Sequence, residues 1–240
     1  NKIYVGTEQG IAIIDLSTNK VITPKVPKVK DNFICMDFFV FKDEIYFVAL
    51  FEGLFKIDQK NDSCNIISIF KNKNNYSLFL DEEFLYVGNE GFVQQFEMEK
   101  VLKNDFSFHN FGSSIIWDFI KTNQGNIFAA ADGVYNPDGG LYQISGSQMI
   151  NVSERFGIES RTILSVVHDS KKDILYVGSN DKGIYEIPLN SKIAYHPFSN
   201  KSCIDFEDIN TTKFVLHTNG VSLLDTSHNI IKETTSEVFK

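Results

Sequence analysis

Short runs of apolar, aromatic and β-branched residues, separated by polar turns, recur along the whole chain. In six places an aromatic-rich run is followed by a glycine-containing turn and a second apolar run, as in "LYVGSNDKGIYEI" at 175–187. Two such runs around a short turn predict a β-hairpin. No stretch of 12 residues keeps the 3.6-residue period of an amphipathic helix. The pattern therefore predicts an all-β protein built from hairpins.

The hairpins repeat at a nearly constant distance. Spacings of 42, 40, 42, 48 and 38 residues separate the aromatic residues that anchor them, which are Tyr4, Tyr46, Tyr86, Phe128, Tyr176 and Phe214. A period near 40 residues with about four strands in each repeat is typical of propeller blades. We therefore expect an all-β β-propeller of about six four-stranded blades, forming a single domain over residues 1–240.

Two further runs complete most of the repeats. A more polar run follows each hairpin and carries proline in two cases, which favours an outer edge strand because proline donates no ladder hydrogen bond. The most apolar runs precede five of the hairpins and are expected to be the innermost strands, buried on both faces; they lie at 33–41, 76–80, 114–120, 162–169 and 203–209. The first hairpin has no such run. Closure by the tail 237–240 and a fragment of a larger propeller array both remain open.

The composition argues against nucleic acids and membranes as partners of this chain. Hydrophobic residues make up 42 % of the chain and charged residues 22 %, as in ordinary globular proteins. The formal net charge is -8 and the only arginines are Arg155 and Arg161. Nucleic-acid binding requires a basic stripe that neutralises phosphates, and the sequence has none. No apolar run approaches the ~20 residues that span a bilayer. We expect neither nucleic-acid binding nor direct membrane contact within this chain.

The cysteines and histidines do not predict a metal or a catalytic centre. Cys35, Cys64 and Cys203 are far apart, form no CxxC pair and lie in apolar runs, so they are expected to be buried free thiols. The histidines have no metal-binding spacing, and the sequence contains no HExxH, GxSxG, GxGxxG or P-loop motif. The sequence therefore gives no reason to expect a cofactor, a metal or an enzymatic activity.

One repeat resembles a known family. The segment "GIESRTILSVVHDSKKDILYVGSNDKGIYEI" at 157–187 is similar to the two-component-regulator propeller repeat, with an inner strand ending in Asp169, a polar turn, the strand Tyr176-Val177-Gly178-Ser179 and then Gly183-Ile184-Tyr185. The segment "NKIYVGTEQGIAIIDL" matches the second half of the same repeat. The resemblance implies the extracytoplasmic sensor region of a hybrid two-component system, periplasmic or extracellular, which senses glycan breakdown products. It also implies a homodimer as part of a larger sensor.

The fourth hairpin connection is the first candidate for a binding site. It runs "ADGVYNPDGG" at 131–140 and is longer than the others. Asp132, Tyr135, Asn136 and Asp138 supply carboxylates, an amide and an aromatic ring, which are groups that bind a sugar or a similar polar ligand. Asp and Asn also form turns through bonds to their own backbone, so a structural role remains the alternative.

Further candidates lie on and beside the inner strands. Trp117 is the only tryptophan, and either core packing or a ligand platform explains it. A carboxylate on an inner strand, such as Asp118, points into the channel or must be paired. Asp37 and Asp205 have similar places, so a ring of carboxylates that holds water or a cation is one interpretation. Arg161 could clamp a carboxylate or sulfate in two-point fashion, and Asp181 lies in the fifth hairpin turn.

Three functions are consistent with these features. The repeat resemblance and the single long loop favour a non-enzymatic sensor of an oligosaccharide or another small polar ligand. A protein-interaction scaffold is an alternative, although the Gly-His and Trp-Asp signature of WD repeats is missing. A metal-dependent lactonase or a lyase would need polar groups with shifted pKa values that converge in the channel.

Overall fold

Strands dominate the structure, a computed structural model that describes residues 2–25, 33–61, 63–67, 74–133, 138–190, 203–209, 212–218, 220–224 and 230–235. The chain divides into two compact units, Asn1–Asn110 and Phe111–Lys240, each of which is described by itself. Within the described residues the only helical segments are α1 (Met98–Leu102) and a 3₁₀ turn at Glu154–Phe156. Neither is long and apolar enough to cross a membrane. The all-β class is confirmed, whereas the sequence did not predict α1.

Unit 1 contains three antiparallel sheets, named A, B and C. Sheet A has three strands in the order β1-β2-β3, and sheets B and C have four strands each, in the orders β4-β5-β6-β7 and β8-β9-β10-β11. Their bounds are β1 Lys2–Thr7, β2 Gly10–Asp15, β3 Lys20–Ile22, β4 Cys35–Phe41, β5 Glu44–Ala49, β6 Gly53–Asp58, β7 Ser63–Ile67, β8 Asn75–Asp81, β9 Phe84–Asn89, β10 Phe92–Glu97 and β11 Phe108–Phe111.

Unit 2 contains three further antiparallel sheets, named D, E and F. Sheets D and F have four strands in the orders β12-β13-β14-β15 and β19-β20-β21-β22, and sheet E has the order β16-β17-β18. Their bounds are β12 Ile115–Lys121, β13 Ile127–Asp132, β14 Gly140–Ser145, β15 Gln148–Asn151, β16 Ile163–Asp169, β17 Ile174–Ser179, β18 Ile184–Pro188, β19 Cys203–Ile209, β20 Thr212–His217, β21 Gly220–Leu224 and β22 Ile230–Thr235.

The sheet order agrees with the order predicted from polarity. Each of the five most apolar runs forms the first strand of a sheet and is followed by the hairpin, and in sheets B, C, D and F the more polar run comes next. Sheet A starts directly with its hairpin, as the sequence indicated. The fourth strand expected for sheet E at 193–199 and the closing tail 237–240 lie outside the described residues.

Burial differs from the sequence-based expectation. In sheets C, D and E the second strand, not the first, is the most buried: all six residues of β13 are buried, whereas β12 has a mixture of buried and half-buried positions. The same contrast holds between β16 and β17. A second strand has a hydrogen-bonded neighbour on both sides, while a first strand has one on a single side. Apolar content alone did not distinguish these two environments.

Each unit has its own apolar core. In unit 1 the rings of Phe47 and Phe55 stack at 5.0 Å between centroids, and Phe33 meets Phe55 edge-on at 5.2 Å. In unit 2 a cluster that includes Leu141, Ile163, Leu175 and Tyr185 packs between sheets D and E. Cys35 and Cys203 are buried free thiols, as predicted, and the side chain of Cys64 lies outside the described part.

A β-bulge recurs in the first strand of each of the sheets B to F. One extra residue interrupts the pairing with the second strand, and these residues are Met36, Tyr76, Trp117, Leu164 and Ile204. The residue after the bulge is polar in every case and alternates between two types, as Asp37, Ser77, Asp118, Ser165 and Asp205. In unit 1 the two carboxylate oxygens of Asp37 accept the N–H groups of Phe38 and Leu78, both at 2.7 Å. This carboxylate therefore links sheet B to sheet C.

Candidate functional site

Three connections of unit 2 meet at one end of sheets D and E. They are the described ends of the connection between β13 and β14, which are Gly133 and residues 138–139, together with residues 152–162 between β15 and β16 and residues 180–183 between β17 and β18. The N–H of Gly133 donates to the carbonyl of Arg161 at 2.8 Å, and the N–H of Asn180 donates to the carbonyl of Thr162 at 2.9 Å. The middle connection is thereby fixed to the other two. Two of these connections are hairpin turns, and the third joins the last strand of sheet D to the first strand of sheet E. Loops held by a rigid scaffold in this way often carry binding residues.

A surface cavity of about 510 Å³ opens beside the middle connection. It is lined by Gly139, Asn151, Ser153, Glu154 and residues 157–161. We call it the loop cavity. Its volume is within the range of roughly 300–1,000 Å³ that is usual for small-molecule sites.

A buried tyrosine on β18 holds part of the backbone that lines the loop cavity. The hydroxyl oxygen of Tyr185, on β18, accepts the N–H groups of Glu159 at 3.2 Å and Ser160 at 3.1 Å. Burial raises the pKa of Tyr185, against the effect of these two N–H groups, so its phenol stays protonated at neutral pH. The ring itself is fully buried. The backbone at 159–160 is therefore attached to the core of sheet E.

Side chains fix the remaining wall. The hydroxyl of Ser160 donates to the carboxylate of Asp181, and its oxygen accepts the N–H of Thr162 at 3.1 Å. On the other side, Nδ2 of Asn151 donates to the carbonyl of Gly139 at 3.2 Å. A Cβ atom at Gly139 would lie 1.8 Å from the carbonyl oxygen of Arg161, so only glycine fits there. These contacts hold the walls of the loop cavity in one arrangement.

The charged side chains of the loop cavity are exposed. Within the described residues, the guanidinium of Arg161 and the carboxylate of Glu154 have no hydrogen bond or ion pair. The carboxylate of Glu159 lies 3.9 Å from the ammonium group of Lys182, which is in the adjacent turn. The site therefore presents hydrogen-bonding groups and both signs of charge to solvent.

The structure brings several of the predicted site residues to this end of unit 2. Arg161 lines the loop cavity, and Asp181 contacts its wall through Ser160. Asp132 is buried at the end of β13, where it pairs with Thr162 as an isolated bridge and accepts the indole N–H of Trp117 at 3.3 Å. Trp117 is half-buried at the bulge of β12.

Of the long connection between β13 and β14, the structure describes Gly133 and residues 138–139. Asp138 is exposed, and its backbone carbonyl accepts the hydroxyls of Ser114, at 2.5 Å, and Tyr142. Tyr135 and Asn136 lie outside the described residues. The ligand-binding roles of these three residues stay predictions.

Asp118 lies apart from the loop cavity and has structural contacts. One carboxylate oxygen accepts the N–H of Phe119 at 2.7 Å, and the other accepts the N–H of Val166 at 2.8 Å. The carboxylate therefore links β12 to β16, as Asp37 links β4 to β8. These contacts favour a structural role for Asp118, and its role in ligand binding is an untested prediction.

Sequence reasoning missed most of the residues that line the loop cavity. Glu154, Glu159 and Ser160 belong to "SERFGIESR" at 153–161, which contains both arginines of the chain and two glutamates. That concentration of charge was an available signal. Among the described residues, no group of three or more His, Cys, Asp and Glu side chains is arranged to hold a metal ion.

These repeated four-stranded sheets define a β-propeller, and comparison with solved structures supports this class. Two structures of the extracellular domain of BT4673 from B. thetaiotaomicron, a two-component system of the hybrid type in one description and a one-component system in the other, match with TM-scores of 0.70 and 0.73 at 14 % and 13 % identity. They cover 98 % of this chain, which spans only 34–35 % of theirs. The Cps50 (Swd1) propeller domain of Myceliophteria thermophila matches with a TM-score of 0.64 and 11 % identity, covering 98 % of this chain and 82 % of its own.

At these identities the likeness shows the fold alone. No family model matches the chain, and no curated protein matches its sequence.

Proposed function

We propose that this chain is a ligand-sensing β-propeller that binds a small polar ligand, such as a glycan breakdown product, without transforming it. The observation that carries the proposal is the loop cavity, in which three connections are fixed to each other and to the core. A preformed concave site with a few convergent polar groups is the usual form of a small-molecule site. The fold shared with the extracellular domain of BT4673 supports a sensory role.

The side chains of the loop cavity are suited to binding. Arginine, glutamate, serine and asparagine side chains donate and accept hydrogen bonds to a polar ligand. The hydroxyl of Ser160 donates to Asp181, and no histidine is among the residues that line the cavity. In the proposal these groups bind the ligand and do not react with it.

The location and the larger assembly are part of the same proposal. In it, the chain belongs to the periplasmic or extracellular input region of a bacterial two-component signalling protein, and the intact sensor is a homodimer. Ligand binding in the loop cavity would be the input signal. The support comes from the repeat resemblance at 157–187 and from the extracellular neighbours in structure.

Thermal unfolding with a ligand panel tests the proposal. A ligand that binds only the native state raises its stability, by about 2.7 kcal/mol at a hundredfold excess over Kd. We expect at least one member of a panel of neutral and acidic oligosaccharides and monosaccharides, including amino sugars, to raise the melting temperature. Arg161→Ala should abolish the rise.

The second arginine provides a matched control. Arg155 is also exposed and lies above the ring of Phe156, outside the residues that line the loop cavity. Arg155→Ala should keep the full ligand effect. A panel without any stabilising member, or equal effects of the two arginine variants, would contradict the proposed site.

A further inference from the structure

The loop cavity contains one positive and one negative side chain that are not neutralised within the described part of the protein. These are the guanidinium of Arg161 and the carboxylate of Glu154. The third charged group, Glu159, is close to Lys182, with 3.9 Å between the carboxylate oxygen and the ammonium nitrogen. The unneutralised charge of the cavity is therefore a pair of opposite signs.

The two charges do not neutralise each other. No ion pair within 4.0 Å joins Arg161 to Glu154 or to Glu159, although all three line the same cavity. Separate groups of opposite sign in one concave site match a ligand that carries both signs on different atoms.

We infer that the ligand of the loop cavity is a small zwitterion, whose anionic group binds Arg161 and whose ammonium group binds Glu154. This inference rests on the proposed function, because it names the ligand class of the same site. An amino-sugar acid, an amino acid and a short peptide all carry this pair of groups.

The cost of burying charge favours this class over a neutral ligand. A ligand that fills the cavity displaces water from both side chains, and a charged group that loses water without a compensating partner is destabilised. A carboxylate on the ligand compensates the guanidinium with two parallel hydrogen bonds. An ammonium group on the ligand compensates the carboxylate of Glu154 through a charge-assisted hydrogen bond.

A purely anionic or purely cationic ligand satisfies only half of the site. An anion leaves Glu154 without a partner and adds a like charge near it, and a cation does the same to Arg161. The polar groups of Asn151 and Ser153, which also line the cavity, remain available for the uncharged part of the ligand.

Four sugars that share the glucose ring and carry different charged groups test the inference. Glucose is neutral, glucosamine is a cation, glucuronic acid is an anion and muramic acid is a zwitterion. We expect calorimetric titration to give muramic acid a Kd about tenfold lower than that of either singly charged sugar, which corresponds to one compensated charge. Glucose should bind most weakly, and added salt should reduce the differences because it screens exposed charges.

Charge-neutralising variants show which side chain binds the anionic group of the ligand and which binds its ammonium group. Arg161→Gln should weaken the binding of muramic acid and glucuronic acid by about tenfold and should not weaken that of glucosamine, because it removes a like charge. Glu154→Gln should weaken the binding of muramic acid and glucosamine and should not weaken that of glucuronic acid, for the same reason. Arg155→Gln, the matched control outside the cavity, should change none of them.

The outcomes separate the inference from the function on which it rests. A neutral saccharide could bind at least as tightly as muramic acid and fail to stabilise Arg161→Ala. That result would contradict a zwitterionic ligand but would still support a ligand-sensing function. Binding of muramic acid that does not respond to Arg161→Gln or Glu154→Gln would also contradict a zwitterionic ligand. If neither the four sugars nor the wider panel bind, both proposals fail.

Discussion

The carboxylate of Asp118 accepts the backbone N–H of Val166 at 2.8 Å, which joins the first strand of sheet D to the first strand of sheet E. The other oxygen of the same carboxylate accepts the N–H of Phe119. Asp37 makes the same pair of contacts with Phe38 and Leu78 in unit 1. An acidic residue that follows a β-bulge thus fastens one sheet to the next in both units.

Replacing Asp118 should weaken unit 2. Asp118→Ala leaves the N–H of Val166 without its acceptor, and such a loss costs about 1–3 kcal/mol of unfolding free energy. Asp118→Asn keeps one acceptor oxygen and should lose less. Urea unfolding followed by the fluorescence of Trp117, the only tryptophan, measures the effect within unit 2. Asp105→Ala is the control, since that exposed carboxylate accepts the N–H of Ser107, two residues away. Equal losses in the two alanine variants would refute the role of Asp118.

Replacing Tyr185 should lower both the stability of the fold and the affinity for a ligand. Tyr185→Phe removes the acceptor of two N–H groups, at Glu159 and Ser160, and should lower the unfolding free energy by about 1–3 kcal/mol. It should also weaken any ligand of the loop cavity, because the wall is no longer held in place. Tyr142→Phe is the comparison: the Tyr142 hydroxyl donates to the carbonyl of exposed Asp138, which water can satisfy instead. Melting curves with and without ligand measure both effects. A variant that loses stability but keeps full ligand affinity would separate Tyr185 from the site.

Gly139 should tolerate no side chain. In Gly139→Ala the new Cβ would meet the carbonyl of Arg161 at 1.8 Å and the backbone nitrogen of Gly133 at 2.3 Å. The backbone must move, and we expect a loss of about 2–3 kcal/mol together with weaker ligand binding. Gly146→Ala is the control for backbone strain without a steric clash. The φ angle there is +57°, and nothing lies within 4 Å of the added Cβ. That control should lose about 1 kcal/mol with unchanged binding. Similar losses in both variants would show that the close approach at Gly139 is unimportant.

Acid titration should show one strongly acidic carboxyl group in sheet A. The hydroxyl and the N–H of Ser17, together with the N–H of Thr18, lower the pKa of Asp15 from 3.8 to about 2. Because the folded pKa is depressed, this group stabilises the fold fully above its ordinary pKa, and the contribution is lost as the pH falls from about 4 through about 2.

Ser17→Ala should raise the pKa of Asp15 towards its ordinary value, because it removes the largest of these effects. Carboxyl carbon NMR resolves the change. Asp58, whose pKa is lowered mainly by the side chain of Asn61, is the internal reference and should not move. An unchanged titration of Asp15 in this variant would show that the hydroxyl of Ser17 is not responsible.

The repeat was readable from sequence because each hairpin carries local signals. Aromatic residues such as Tyr86 and Tyr176, followed by glycine turns, fix both the strand type and the period. The longest hairpin connection and Arg161 could also be recognised, since an insertion and a rare residue are visible without a structure. The five-residue helix α1 was missed because a single turn has too few positions to show a helical period.

The interior of the site could not be predicted, because it depends on contacts distant in sequence. Tyr185 reads as an ordinary strand aromatic until its hydroxyl is seen to hold the backbone at Ser160. Asp118 reads as a channel carboxylate until Val166, 48 residues later, supplies its partner. The burial of second strands such as β13 likewise follows from neighbours on both sides rather than from their own composition.

The alternation of Asp37, Ser77, Asp118, Ser165 and Asp205 bears on how such a chain can grow or shrink. Both described links run from a first strand with aspartate after its bulge to a first strand with serine at the same place. Two consecutive repeats are therefore the smallest unit that preserves this pairing. Gene duplication or deletion in steps of two repeats preserves that matching. A step of one places two acidic strands, or two without a carboxylate, side by side. Lineages related to this protein should therefore differ in length by about eighty residues more readily than by forty.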